Sequence, residues 1–141
     1  MQVHELKLED LQTQLDLNLK SAFLSIKYFL PNMIAKNKGR IINVGARQGL
    51  HGVKGVSAYA ASKAALINFT QSLAEELKET NINANIIIPS VIDTEANRKS
   101  SANENFSTWV SAESLGNVIK FLSSDESKDI NGAVIPVYGK S

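Results

Sequence analysis

A phenol and an ammonium four residues apart, Tyr59 and Lys63, are the side chains of this sequence whose types and spacing most directly suggest chemistry. The run Ser57-Ala58-Tyr59-Ala60-Ala61-Ser62-Lys63-Ala64-Ala65-Leu66 continues to about Lys78 with a helical period, because Ser62, Leu66, Phe69, Leu73 and Leu77 recur at four- and three-residue steps. Residues four apart on a helix share a stripe, so Tyr59 and Lys63 are expected to meet. An ammonium beside a phenol favours the phenolate, lowering a pKa of about 10 and letting tyrosine exchange a proton near neutral pH. The same spacing occurs in many helices by chance, where it marks only a surface aromatic next to a lysine. The surrounding chain has to decide between the two.

Composition removes several classes of function. The chain has 141 residues, 43% hydrophobic and 21% charged, which suits one globular domain with a core. Fifteen Lys plus Arg against fourteen Asp plus Glu leave a net charge of +1, so no global field draws it to nucleic acid or to an anionic membrane. There is no cysteine, which excludes disulfides and thiolate chemistry and fits a reducing, cytoplasmic location. His4 and His51 lie far apart without neighbours at ligand spacing, so no metal site is expected. No apolar run reaches the roughly 18 residues a membrane helix needs, and the first residues lack an apolar export segment.

The elements that must position the pair alternate. From about Leu8 to Ile34, Leu15, Leu19, Ala22, Phe23, Ile26, Leu30 and Met33 predict one long amphipathic helix, with Pro31 as a stop or kink. Leu17, Leu24 and Tyr28 add a second apolar stripe, which suggests packing against another subunit, or else partial exposure. Asn18 interrupts that helix as a poor helix former that is costly to bury unpaired. Arg40-Ile41-Ile42-Asn43-Val44 predicts a strand buried on both faces. A loop with four glycines, Gly45 to Gly55, leads from its end into the Tyr59 helix. Ile82 to Ile88 predicts a second buried strand ending at Pro89. Residues 90–111 show little periodicity and read as a loop with a task, such as a lid. Ser111-Ala112-Glu113 opens a helix, and Ala133 to Tyr138 predicts a last strand that Pro136 confines to an edge. Helix and strand in alternation mean an α/β fold with a parallel sheet of about three strands and flanking helices.

Asn18, Gly39-Arg40-Ile41-Ile42-Asn43-Val44, Tyr59-Ala60-Ala61-Ser62-Lys63-Ala64-Ala65, Pro89-Ser90-Val91-Ile92-Asp93-Thr94 and Asn131-Gly132-Ala133-Val134-Ile135-Pro136-Val137-Tyr138-Gly139 together resemble the short-chain dehydrogenase/reductase family. The resemblance implies an oxidoreductase that uses NAD or NADP on a small-molecule substrate. It implies Tyr59 as general acid/base, Lys63 as the group that lowers its pKa and holds the nicotinamide ribose, and Asn18 as a bend in its helix that anchors a relay water. Asn43, Val44 and Gly45, with Tyr59 and Lys63, would contact the cofactor, and Pro89, Ser90, Val91, Ile92 and Thr94 would lie along the nicotinamide. The second apolar stripe of the long helix separately predicts a homo-oligomer through the long helices.

Two departures qualify this. The serine that usually stands thirteen residues before the tyrosine is Ala46, with Gln48 the only neutral side-chain donor beside it. Loss of an oxyanion donor costs a few kcal/mol of transition-state stabilisation. Gly45-Ala46 and the stretch to Trp109 are similar to the dihydropteridine reductase branch, whose activated acceptor depends less on such a donor. Second, the glycine-rich fingerprint of a first βα unit appears nowhere, so residues 1–141 read as a single partial domain, the C-terminal half of a Rossmann-type doubly wound sheet. Such a half is expected to expose an apolar strand edge and to bind dinucleotide weakly or not at all. The alternative is a non-catalytic remnant that associates with itself or with a partner.

Overall fold

Three parallel strands in the order β1-β2-β5 form the centre of the computed structural model, which describes residues 1–101 and 103–140. Strand β1 is Gly39–Val44, β2 is Ile82–Pro89 and β5 is Val134–Val137. Gly39 pairs with Ile82, Val44 with Ile87, and Ile86 with Val134. All eight residues of β2 are buried, as its near-continuous apolar run requires of a central strand. Its two asparagines are satisfied. Asn85 donates Nδ2 to Ile130 O at 2.8 Å and accepts from Ala133 N at 2.9 Å, and Asn83 donates to Lys128 O at 3.1 Å.

Both faces of the sheet are covered. On one, Ile82, Ala84, Ile86 and Ile88 meet Leu66, Ile67, Leu73 and Ala74 of α3, Ser57–Glu76, and Leu77 at its C-cap, with Ile26, Leu30 and Met33 of α2, Ser21–Lys36, packed alongside. On the other, Ile87 packs with Leu115 and Leu122 of α5, Ala112–Ser123. This is the doubly wound arrangement of helices on either side of a parallel sheet.

Three points differ from the sequence reading, the burial of β1, the continuity of the N-terminal helix and the effect of Pro31, whereas Pro136 lies on an edge strand as expected. Strand β1 is not buried on both faces: only Ile41 is fully buried, and Val44 is 42% exposed, because among the described residues β1 pairs along one edge alone. Pro136 sits on the other outer strand, at an exposed position of β5 where a missing N–H costs nothing. The long N-terminal helix is α1, Leu8–Leu15, then one π turn, Asp16–Lys20, then α2. Asn18 accounts for that turn: its Nδ2 donates to Gln14 O at 3.1 Å, competing for the i−4 carbonyl that its own backbone N–H would use in an α-helix. Pro31 does not stop α2, which runs on to Lys36 and is closed by Asn37 at φ 45°.

Residues 90–111 are held by short elements too small for a periodicity reading. Strand β3, Ile92–Asp93, pairs in parallel with β4, Val110–Ser111, and between them lies α4, Glu95–Ser100. Arg98 grips Asp93 through two hydrogen bonds and lies 5.3 Å from the centre of the Phe106 ring, which packs on the buried Trp109 at 4.8 Å. Ala102 of this segment is outside the described residues. Among the described residues no helix is long and apolar enough to cross a membrane.

Candidate active site

The C-terminal ends of β1 and β2 open into a cavity of about 570 Å³, the position at which open α/β sheets bind ligands. Tyr59 and Lys63 line it from the first turns of α3, Val44 to Gln48 from the exit of β1, and Pro89 to Ile92 from the exit of β2. Lys63 Nζ donates to Val44 O at 3.0 Å and lies 5.8 Å from the centre of the Tyr59 ring. The helix spacing therefore brings the pair together, and the carbonyl of the strand end fixes the ammonium.

Three local contacts explain why the chain folds this way. Ser62 is fully buried: its Oγ donates to Tyr59 O at 2.8 Å and accepts from Asn18 Nδ2 at 3.1 Å, tying the π turn to the turn that carries Tyr59. At Gly45 a Cβ would lie 2.5 Å from Ile88 Cδ1 and 3.1 Å from Ile86 Cδ1, so the exit of β1 runs close over the side chains of β2. At Gly49 a Cβ would lie 2.9 Å from Lys63 C and 3.0 Å from Ala64 N, so the 3-10 turn Arg47–Gly49 sits directly on the backbone of α3.

The electrostatics depart from the expectation. Burial pushes the Tyr59 phenol above its ordinary value, and burial pushes the Lys63 ammonium below its own. Burial sets the direction of the phenol's shift, and Nζ is directed at Val44 O, 5.8 Å from the ring centre. Tyr59 here is a phenol held neutral.

The sequence-derived residues divide. Tyr59, Lys63, Val44, Gly45, Pro89, Ser90, Val91 and Ile92 share the cavity wall with Ala46 and Gln48. Asn18, Asn43 and Thr94 do not line it. Asn18 stands behind Ser62, Asn43 donates to Thr70 Oγ1 at 2.8 Å, and Thr94 caps α4 by accepting from Asn97 N at 3.2 Å. Ala46 is 6% exposed and presents only a methyl group. Four further wall residues, Arg47, His51, Val53 and Asn97, have no motif of their own. A cue for the first three is their place in a loop leaving the C-terminal end of a strand. Among the described residues no three His, Cys, Asp or Glu gather as metal ligands.

Comparison with known proteins gives a consistent result. The family model described as short chain dehydrogenase matches residues 1–105. The 3-oxoacyl-[acyl-carrier-protein] reductase FabG of Thermotoga maritima is 35% identical over 142 aligned residues, covering 95% of this chain and 58% of the relative. Among solved structures, a 3-oxoacyl (acyl-carrier-protein) reductase from Agrobacterium tumefaciens with NADP bound superposes with a TM-score of 0.90 at 28% identity, over 100% of this chain and 59% of that one. A 3-oxoacyl-[acyl-carrier protein] reductase from Brucella melitensis with bound NAD superposes with a TM-score of 0.86 at 29% identity, over 99% and 55%. The chain thus spans somewhat over half the length of these relatives.

Proposed function

The chain belongs to the short-chain dehydrogenase family, and on that premise we propose that it carries the proton-transfer and nicotinamide end of an NAD(P)-dependent oxidoreductase site. The observation that carries this reading is Tyr59 and Lys63 together in one cavity at the strand ends, with Lys63 locked to Val44 O. A bound NAD or NADP would supply or accept the hydride. The wall fits its nicotinamide end: the exits of β1 at Val44 and Gly45 and of β2 at Pro89 to Ile92 form one continuous floor beside Lys63.

Within that site Tyr59 is the acid in the reducing direction. A phenol kept neutral by burial has a proton to give to a developing alkoxide. Asn18 is a positioning residue: its π turn bends the helix, and its side chain holds Ser62 against the Tyr59 carbonyl. A water anchored at that bend would pass a proton toward Lys63. Ala46 contributes no hydroxyl, and Gln48 is the neutral side chain of the wall nearest in sequence to take its place. Carbonyl or alcohol chemistry is the first substrate reading. The bare methyl of Ala46 favours a second, a quinonoid dihydropterin, whose activated acceptor needs less polarisation.

The test uses the polypeptide that carries this chain, with NADH and NADPH, against a carbonyl panel and quinonoid dihydropterin. Tyr59→Phe is expected to abolish most turnover, and unchanged turnover refutes the proton-donor role. The 141-residue chain alone is expected to bind dinucleotide weakly or not at all, and micromolar affinity by calorimetry refutes that.

The outer face of the N-terminal helices supports self-association as a second role. Leu17, Tyr28 and Phe29 are 66%, 76% and 67% exposed, Phe29 lines a groove with Arg40 to Asn43 of β1, and among the described residues the outer edge of β1 pairs with no strand. Light scattering that shows a well-behaved monomer refutes this. The composition supports a cytoplasmic setting for either role.

A further inference from the structure

The cavity wall carries two cations and no anion. Arg47 and Lys63 both line it, and no Asp or Glu does. The Lys63 ammonium is already engaged by Val44 O. The Arg47 guanidinium is not neutralised: among the described residues no carboxylate lies within 4.0 Å of it. It lies instead over the Tyr138 ring, 4.7 Å from the ring centre. A guanidinium on an aromatic face uses its flat surface there and keeps its in-plane N–H fork for an oxyanion. The backbone beneath is fixed as well. Gly49 N donates to Ala46 O at 2.9 Å, Leu50 N donates to Arg47 O at 3.0 Å, and Gly49 is seated on the backbone of Lys63. Arg47 is therefore held at a set distance from the turn that bears the Tyr59 and Lys63 pair.

We propose that Arg47 anchors the substrate of this site by its negative charge, so that the substrate is a carbonyl or alcohol compound bearing a carboxylate or a phosphate ester. This rests on the oxidoreductase reading of the site and names the class of its substrate. The fork takes the oxyanion in two parallel N–H···O bonds, and the carbonyl end is left facing Tyr59. With Ala46 in place of a polarising hydroxyl, binding at this remote charge is what fixes the reacting carbon in position.

The test is an amide-shift NMR titration of the cofactor-free chain with two matched pairs of probes. Acetoacetate against methyl acetoacetate tests the carboxylate source, and dihydroxyacetone phosphate against dihydroxyacetone tests the phosphate source. The anion of at least one pair is expected to bind about tenfold more tightly than its neutral partner, the equivalent of about 1.4 kcal/mol. Arg47→Gln is expected to remove the preference while leaving the neutral probe unaffected. Arg47→Lys, which keeps the charge and loses the fork, is expected to retain only about a third of it. Equal binding within both pairs, or a full preference in either variant, overturns the proposal. The preference is measured without cofactor, so it stands or falls apart from the turnover test on Tyr59.

Discussion

Substituting Gly49 by Ala tests whether the seat of the Arg47 turn on α3 is as close as the structure shows. The added Cβ would lie 2.9 Å from Lys63 C, 3.0 Å from Ala64 N and 3.0 Å from Ile67 Cδ1. Ordinary Cβ contacts begin at 3.4 Å, so the turn has to withdraw by about half an ångström, and two of the three obstacles are backbone that cannot rotate away. Overpacking of this kind costs about 1–3 kcal/mol. The gain from stiffening the unfolded chain, about 0.4–1 kcal/mol, offsets part of it. Gly49 is not in the left-handed region, so the cost is steric alone. A net loss of about 1–2 kcal/mol lowers Tm by about 3–7 °C in a chain of this length. Urea unfolding should show a lower midpoint at unchanged slope. Gly52→Ala is the control, because nothing lies within 4 Å of its Cβ and its φ is ordinary. It should be neutral or slightly stabilising. Equal midpoints for the two variants refute the close seat, and with it the fixed placement of Arg47 relative to Lys63.

The remaining predictions concern the phenol, the central strand and the missing hydroxyl. Burial raises the Tyr59 pKa, so its contribution to stability is complete below the ordinary tyrosine value of about 10 and is lost as pH rises through the folded value. Difference absorbance at the phenolate band between the wild type and Tyr59→Phe should therefore show a midpoint above pH 10, and a midpoint below it would restore the ammonium-assisted picture. Lys63 has the opposite sign: its depressed folded pKa contributes stability above its unfolded value, lost as pH falls through the folded value. Asn85→Ala strips partners from Ile130 O and Ala133 N beside a fully buried strand, and should cost about 2–4 kcal/mol in chemical denaturation. Ala46→Ser adds one hydroxyl at the cavity wall. In the polypeptide that carries this chain it should raise kcat for carbonyl reduction about tenfold or more, and an unchanged kcat would show that Gln48 or another group already fills that role.

What the sequence reveals about this molecule tracks the range of the interactions involved. The stripe Ser62, Leu66, Leu73 and Leu77 identifies α3, and the isoleucines of β2 identify a central strand, because one face of a helix and both faces of a buried strand write themselves into local periodicity. Strand β1 is less buried than its composition suggests, for a related reason. Its residues have the composition of an interior strand, but burial depends on a neighbour, and among the described residues none lies on its outer edge. The segment 90–111 shows no period because its strands are two residues long; capping by Thr94, the Asp93 to Arg98 pair and the packing of Phe106 on Trp109 order it instead.

The site follows the same division. The four-residue step from Tyr59 to Lys63 is local and legible. The direction in which the ammonium points is not, since it depends on Val44 O, nineteen residues earlier in the chain. Burial of the phenol then reverses the electrostatic expectation. With Nζ drawn to the strand end, burial dominates the phenol and its pKa goes up. Asn18 shows the complementary case. It reads as a defect in an amphipathic helix, and the defect is real: its side chain takes the Gln14 carbonyl and opens a π turn. The same amide then reaches Ser62 at 3.1 Å, so the irregularity places a hydrogen-bond donor behind the turn that carries Tyr59. Arg47 is the least legible of all, because neither periodicity nor motif distinguishes one loop arginine from another. Only the assembled cavity shows a guanidinium over Tyr138 that meets no carboxylate among the described residues, and it is this want of a counter-charge there that points to one supplied by the substrate.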